Sequence, residues 1–350
     1  MPFVTTGVAN SAFGAFSMFS LSFGNFNTAV GVAALDLNNA DANTAVGVAA
    51  LLLNTSGAEA DTGTRNTAVG TSALLNNTGA GATKAGEGSD NHAFGAFALN
   101  ANTLGFSNTA IGGAALEHNQ IGAFNTGVGD LALVNNDSSG AGEGNFNTAV
   151  GAQALFNNGD GDSNNAVGVS ALVANTDGLF NQAFGAFALS GNDIGASNVA
   201  IGDSAAAGNT SGSFNTVIGD TAGPALTAGT DNIYIGAGSG GDSDETGNIR
   251  IGENGFINAC FVQGIFGVPV TGDPVCVDSN GQLGACSAGG RPVSMNDLKA
   301  ATEKQAARIA SQETQIQTLT AALKQQAEQI QKVSAQLEMI RPTPRVVENR

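Results

Sequence analysis

The chain has 350 residues, a formal net charge of −17, few charged side chains (12%), no Trp and a single Tyr, Tyr234. Up to residue 290 only Arg65, Lys84 and Arg250 are basic, against 23 acidic residues, a balance of −20; the remainder carries nine basic and six acidic residues, +3. So acidic a body repels nucleic acid and anionic membrane, and no segment approaches the ~20 apolar residues that span a bilayer.

The opening, MPFVTTGVANSAFG, has no charged n-region and no clear signal-peptide core. Three expectations stay open: a truncated gene start, export by another route, or assembly inside a virion. From Asn10 the chain repeats one phrase, NTAVG and its variants, in fourteen copies. Their anchors are Asn10, Asn27, Asn43, Asn66, Asn91, Asn108, Asn125, Asn147, Asn164, Asn181, Asn198, Asn215, Asn232 and Asn248. Eight of the thirteen spacings are 17 residues, two are 16 and three are 22 to 25. A fixed period of this size is the signature of a stacked repeat. Strict register over fourteen copies argues against disordered low complexity, despite the Gly and Asn content.

Counting from the anchor Asn as position zero, position three is large and apolar in every copy, from Phe13 to Ile251, and position four is always Gly. Position eight is Leu in nine copies and position eleven Asn in ten. So short a unit suits two short strands and two turns. The expected fold is an all-β parallel β-roll, a solenoid of about 14 coils, roughly 65 Å long at ~4.8 Å per coil. Positions three and eight are expected to point inward. The invariant Gly marks a tight bend or close backbone approach, and stacked Asn side chains form ladders. Neighbours in a strand face opposite ways. Positions two and seven, Ala in most copies, are therefore expected outside, where they would meet other subunits.

Extra residues in the stretched repeats fall between position eleven and the next anchor, in Thr55–Arg65, Thr78–Asp90 and Asp137–Phe146. They read as Gly-, Ser- and acid-rich surface loops along one edge, either slack or a binding face. Gly159–Asn165 (GDGDSNN) hints at calcium but lacks the full spacing of a calcium loop. His92 and His118 have no triad partner or metal-ligand spacing and read as surface or turn residues. From Asn215 the repeats decay, as terminal coils that cap a solenoid do.

Residues 254–290 alternate short apolar runs with turn signals and read as a small all-β connector. They hold Cys260, Cys276 and Cys286; three is odd, so one is unpaired unless it bonds between subunits. From Met295 to Ile340 a heptad runs unbroken. Its a positions are Met295, Thr302, Ile309, Ile316, Leu323, Ile330 and Leu337, and its d positions are Leu298, Gln305, Gln312, Leu319, Gln326, Val333 and Ile340. This predicts a coiled coil, with Gln at three d positions fixing register at a cost in stability. Pro342 and Pro344 end it. The expected organisation is a rod over 1–253, the connector over 254–290, a trimeric coiled coil over 291–341 and a disordered tail over 342–350.

Two resemblances attach to these stretches. SNVAIG (Ser197–Gly202) resembles the head repeat of trimeric autotransporter adhesins, which implies a trimeric β-roll. NTAVGxxAL is similar to repeats of phage tail-fibre-like and bacterial surface proteins that end in an endosialidase-type intramolecular chaperone. FVQGIFGVPV with VCVDSNGQLG (Phe261–Gly284) is similar to the segment before that chaperone, and Gln317–Glu338 looks like the coiled tail after it. The chain departs from the second group after GQLG. There the resemblance implies a chaperone body with a self-cleaving Ser and nearby Lys; here the heptads follow at once and Ser287 has no Lys closer downstream than Lys299, so neither that body nor self-cleavage is expected. The autotransporter's membrane β-barrel is not expected here either.

The expected function is a non-enzymatic, homotrimeric, adhesin-like fibre at the cell surface or outside the cell, with itself and a cell-surface or glycan ligand as partners. No catalytic, cofactor-binding or metal-binding residue is assigned. The main alternative is a phage tail fibre that binds a receptor from the virion. A polysaccharide-cleaving enzyme lacks recurring paired carboxylates in a cleft motif. Ice binding is raised by the Thr column at position one (Thr28, Thr44, Thr67, Thr109, Thr126, Thr148 and Thr216), but those Thr are expected to share the buried face of position three.

Overall fold

The computed structural model describes residues 6–57, 59, 61–79, 81–252, 275–277, 283–285 and 295–340, with helix side chains over 302–337. The chain divides into two compact units, Met1–Cys260 and Phe261–Arg350.

The first unit is a parallel β-solenoid. Fourteen three-residue strands, β1 (Ser11–Phe13) through β14 (Ile249–Ile251), pair in strict sequence order in one parallel sheet. Each strand is positions one to three of a repeat, and register never slips: Thr148 pairs with Asn165, Ala149 with Ala166 and Val150 with Val167. The strand forms where β-branched residues flank an Ala. Each coil has one such strand, not two. The opposite wall, from position five to ten, is a chain of turns in which position-eight N–H groups donate to the next coil, as in Leu155 N–H to the Ala171 carbonyl at 2.9 Å.

The facing of the strand is the reverse of the expectation. Ala at position two is buried, as in Ala149 and Ala166, and so is Ala at position seven. Position three points outward, with Val150 38% and Phe94 41% exposed. The reason is volume. A 17-residue coil encloses room for one large column, and Leu at position eight fills it; Leu35 to Leu189 are all fully buried. A Cβ added at Gly127, which replaces Ala at position two, would sit 3.2 Å from the Ala132 carbonyl oxygen and 3.5 Å from the Leu116 side chain, so even a methyl fits closely there. Ala is therefore the residue that fits opposite Leu, and Val or Phe there would overpack the core. The position-eight Leu points inward as expected, but from a turn: Leu116 and Leu155 sit at φ of 53° and 51°, a region that costs a bulky residue roughly 1–2 kcal/mol.

Two buried Asn columns supply what the small apolar core lacks. At position zero each side-chain Oδ1 accepts the backbone N–H of the next anchor, as in Asn164 N–H to Asn147 and Asn181 N–H to Asn164, both 2.9 Å. This ladder runs unbroken from Asn10 to Asn248. At position eleven, Asn Nδ2 donates to the Oδ1 of the preceding Asn, from Asn54 to Asn209. It donates also to the carbonyl of a Gly three residues before the next anchor, as in Asn175 to Gly178. Asn209 Oδ1 ends the column without a partner, because the next position eleven is Leu226.

The Gly at position four is required twice over. Gly168 has φ of 140°, and an added Cβ would fall 2.3 Å from the Gly185 carbonyl oxygen of the next coil, so the backbones stack too closely for any side chain.

The coils at either end depart from the repeat. Met18 and Leu21 replace Leu and Asn in the first coil, and both are buried. Near the other end Tyr234 takes the place of the inward Ala and is fully buried. Its hydroxyl donates to Glu245, which also accepts two hydrogen bonds from Arg250, at 3.0 and 2.6 Å.

The second unit contains a short antiparallel pair, β15 (Val275–Val277) and β16 (Leu283–Ala285), and one helix, α1 (Met295–Ile340). The helix occupies the full predicted heptad, 46 residues or about 70 Å. Most of the connector, including Cys260, Cys286 and Ser287, lies outside the described residues, as does the tail with Pro342 and Pro344.

Candidate functional site

The outward face of the sheet carries the candidate site, which follows from the alternation of the strand. With position two committed to the core, positions one and three face away from it. Position three forms an apolar column over all fourteen strands, exposed in most of them. Position one forms a parallel column of Thr, half-buried rather than buried; Thr44, Thr67, Thr109, Thr126, Thr148 and Thr216 are of this kind. The assumption that set the Thr aside is thus overturned, along with the facing of position three. The alternation alone left two solutions, and the volume of Leu against Ala was the signal that distinguishes them.

The insertion loops are better built than slack loops. In the first two, Thr62 and Ser89 are buried, Thr64 N–H donates to Ser89 Oγ at 2.9 Å, and Arg65 pairs with Asp90 at 2.7 Å across the coils. The Arg65 guanidinium holds the Asp90 carboxyl below its ordinary pKa. The pair is half exposed, so it contributes little to stability. In the third, Asp137 is fully buried and accepts backbone N–H groups from Ile121, Gly122 and Gly142 at 2.7 to 2.8 Å.

The calcium hint places Asp160 and Asp162 beside Glu143 and Asn145 in a shallow depression. Asp160 already accepts Ser139 Oγ–H at 2.8 Å, and Asp162 the Asn145 N–H at 2.9 Å. Among the described residues, no three His, Cys, Asp or Glu side chains converge on a metal position. His92 stands exposed at position one of β5 (His92–Phe94), and His118 is exposed in a turn.

On α1 the heptad residues Ile309, Ile316, Leu319, Leu323, Ile330, Val333 and Leu337 are all exposed, a second apolar stripe. Among the described residues, no helix is long and apolar enough to cross a membrane. No family model matches the chain, and no curated protein or solved structure matches it.

Proposed function

We propose that the chain is a non-enzymatic, homotrimeric fibre protein that projects or attaches at a cell surface, its subunits joined through the outward sheet face and through α1 as a coiled coil. The observation that carries this reading is the unbroken position-three column. Monomers rarely expose contiguous apolar patches beyond a few hundred Å². Fourteen coils give a strip of roughly 65 Å by about 10 Å, ~650 Å² per chain. Two such faces bury ~1,300 Å², within the ~1,200–2,000 Å² of specific interfaces. The helix supports the same reading, since a heptad stripe exposed over about ten turns gains little until it packs on another helix. A virion tail fibre has the same architecture. Neighbouring tail and baseplate genes would favour it, and envelope or secretion genes the surface fibre.

Light scattering on the full chain tests the assembly: the reading expects a trimer. Val150→Asp then places a charge in the outward face, where it should block association while leaving the coil folded.

One observation favours a second reading. The Thr and Val columns form a regular array of hydroxyl and methyl groups on an exposed parallel sheet, a surface that could order water and adsorb to ice. If the chain is monomeric in solution, this face is free, and thermal hysteresis in cooled solution decides the matter.

A further inference from the structure

The position-three column is not uniform. It is Val or Ile in eleven coils and Phe in three, Phe13, Phe94 and Phe184, which belong to coils one, five and ten. The same three coils, and no others, carry a second Phe at position six: Phe16, Phe97 and Phe187. Each reads AFGAF, with a small Ala between the two rings. All six rings are exposed. The second Phe of each pair sits at φ of about 60° (Phe16 60°, Phe97 61°, Phe187 59°), where a bulky residue is costly. Phe16 packs edge-on against Phe19 of its own chain, with ring centroids 5.5 Å apart; the other five rings stand toward solvent.

We infer that these three aromatic coils are register pegs, which make two further copies of this chain dock level with the first and at no other offset. The inference rests on the self-association proposed above. In a cyclic assembly about an axis along the rod, each coil lies at the height of the same coil in every other chain. Phe then meets Phe at three levels, and Val or Ile meets its own kind elsewhere. The pegs lie four coils and then five coils apart, so the three separations, four, five and nine, are all different. Sliding one chain by any whole number of coils aligns at most one Phe level. The remaining Phe are then forced against smaller residues, with overpacking at some levels and voids at others. An antiparallel pair would align Phe94 with Phe184 but set Phe13 against Ile251.

This answers a difficulty inherent in the fold. Repeats that look alike leave register weakly specified, and a column of Val alone would pack nearly as well when slipped by one coil. Uneven spacing removes that degeneracy at little cost, because the substitutions lie outside the coil's own core.

The test is mixed refolding of full-length chains. One population is wild type; the other has two pegs moved by one coil in opposite directions, Phe94→Val and Phe97→Ser with Val69→Phe and Ser72→Phe, and Phe184→Ile and Phe187→Ser with Ile201→Phe and Ser204→Phe, plus a mass tag. The two share the same helix. After joint unfolding and refolding, native mass spectrometry should show mostly unmixed trimers, with mixed ones about tenfold or more below the statistical share. A tagged chain with wild-type pegs should mix statistically. Statistical mixing by the moved-peg chain would overturn the inference while leaving the trimer intact. Monomers in every sample would overturn the association reading itself, and two-chain species the trimer. Should the moved-peg chain fail to fold, the chain with Phe94→Val, Phe97→Ser, Phe184→Val and Phe187→Ser decides: it should refold to several species on a native gel where wild type gives one. Refolding as uniform as wild type would sink the idea.

Discussion

At the scale of single residues, the solenoid is held by positions that tolerate only one side chain. Asn175 donates to Asn158 and to the Gly178 carbonyl and accepts from Asn192, all within a buried column. Asn175→Leu removes these bonds and leaves Asn192 Nδ2 without its column partner. A loss of about 1–3 kcal/mol per unmatched buried group is expected, read as a lower urea midpoint. Gly168→Ala should be worse, since its methyl would meet the Gly185 carbonyl at 2.3 Å and its φ is 140°; far-UV circular dichroism should show loss of the β signal. Both kinds of residue were legible in the sequence, because an invariant Gly and a periodic Asn have few other uses in a stack. The direction of Val150 was not. Strand alternation fixes only which residues share a face, and it took the fully buried Leu column to show that the interior has no room for Val as well.

At the scale of elements, the insertion loops and the last coils behave as parts of the stack. Trimming Thr78–Asp90 removes Ser89 and Asp90, which bond Thr64 and Arg65 of the coil before. Loop shortening alone is nearly neutral, so a clear drop in melting temperature would show that these contacts, not loop length, matter. The loops' place was readable from the constant insertion point. Their internal order was not, because it depends on hydrogen bonds between loops distant in sequence. Near the end of the solenoid, the Arg250 guanidinium, helped by the Tyr234 hydroxyl, holds the Glu245 carboxyl below its ordinary pKa. Burial in turn pushes the Tyr234 hydroxyl up. A carboxylate with a depressed folded pKa contributes stability that is present above its unfolded value, about 4.3, and is lost as pH falls through the folded value. Amides of coil fourteen should therefore exchange faster in acid than at neutral pH, relative to those of mid-rod coils. Glu245→Gln should abolish that difference; an unchanged difference would assign the acid response to another group.

At the scale of the whole molecule, the sequence period carried the parallel solenoid and the heptad carried the limits of α1, because both patterns repeat often enough to exclude other folds. What one chain's pattern could not reveal is which stripe faces outward, since two Ala columns and one Val column were equally regular. Deleting the chain from Met295 onward removes the rapidly formed local helix and leaves register to the sheet face alone. Slower and less complete assembly is expected from dilution-refolding followed by light scattering, though every β-coil is retained. If the outward apolar column is an interface, the solution mass of the full chain beside that of Val150→Asp reveals it most directly. Three times the 34.6 kDa chain mass is expected for the wild type. For the variant a shift towards monomer with the β signal retained is expected. A wild-type monomer, or a variant whose mass is unchanged, would contradict such an interface.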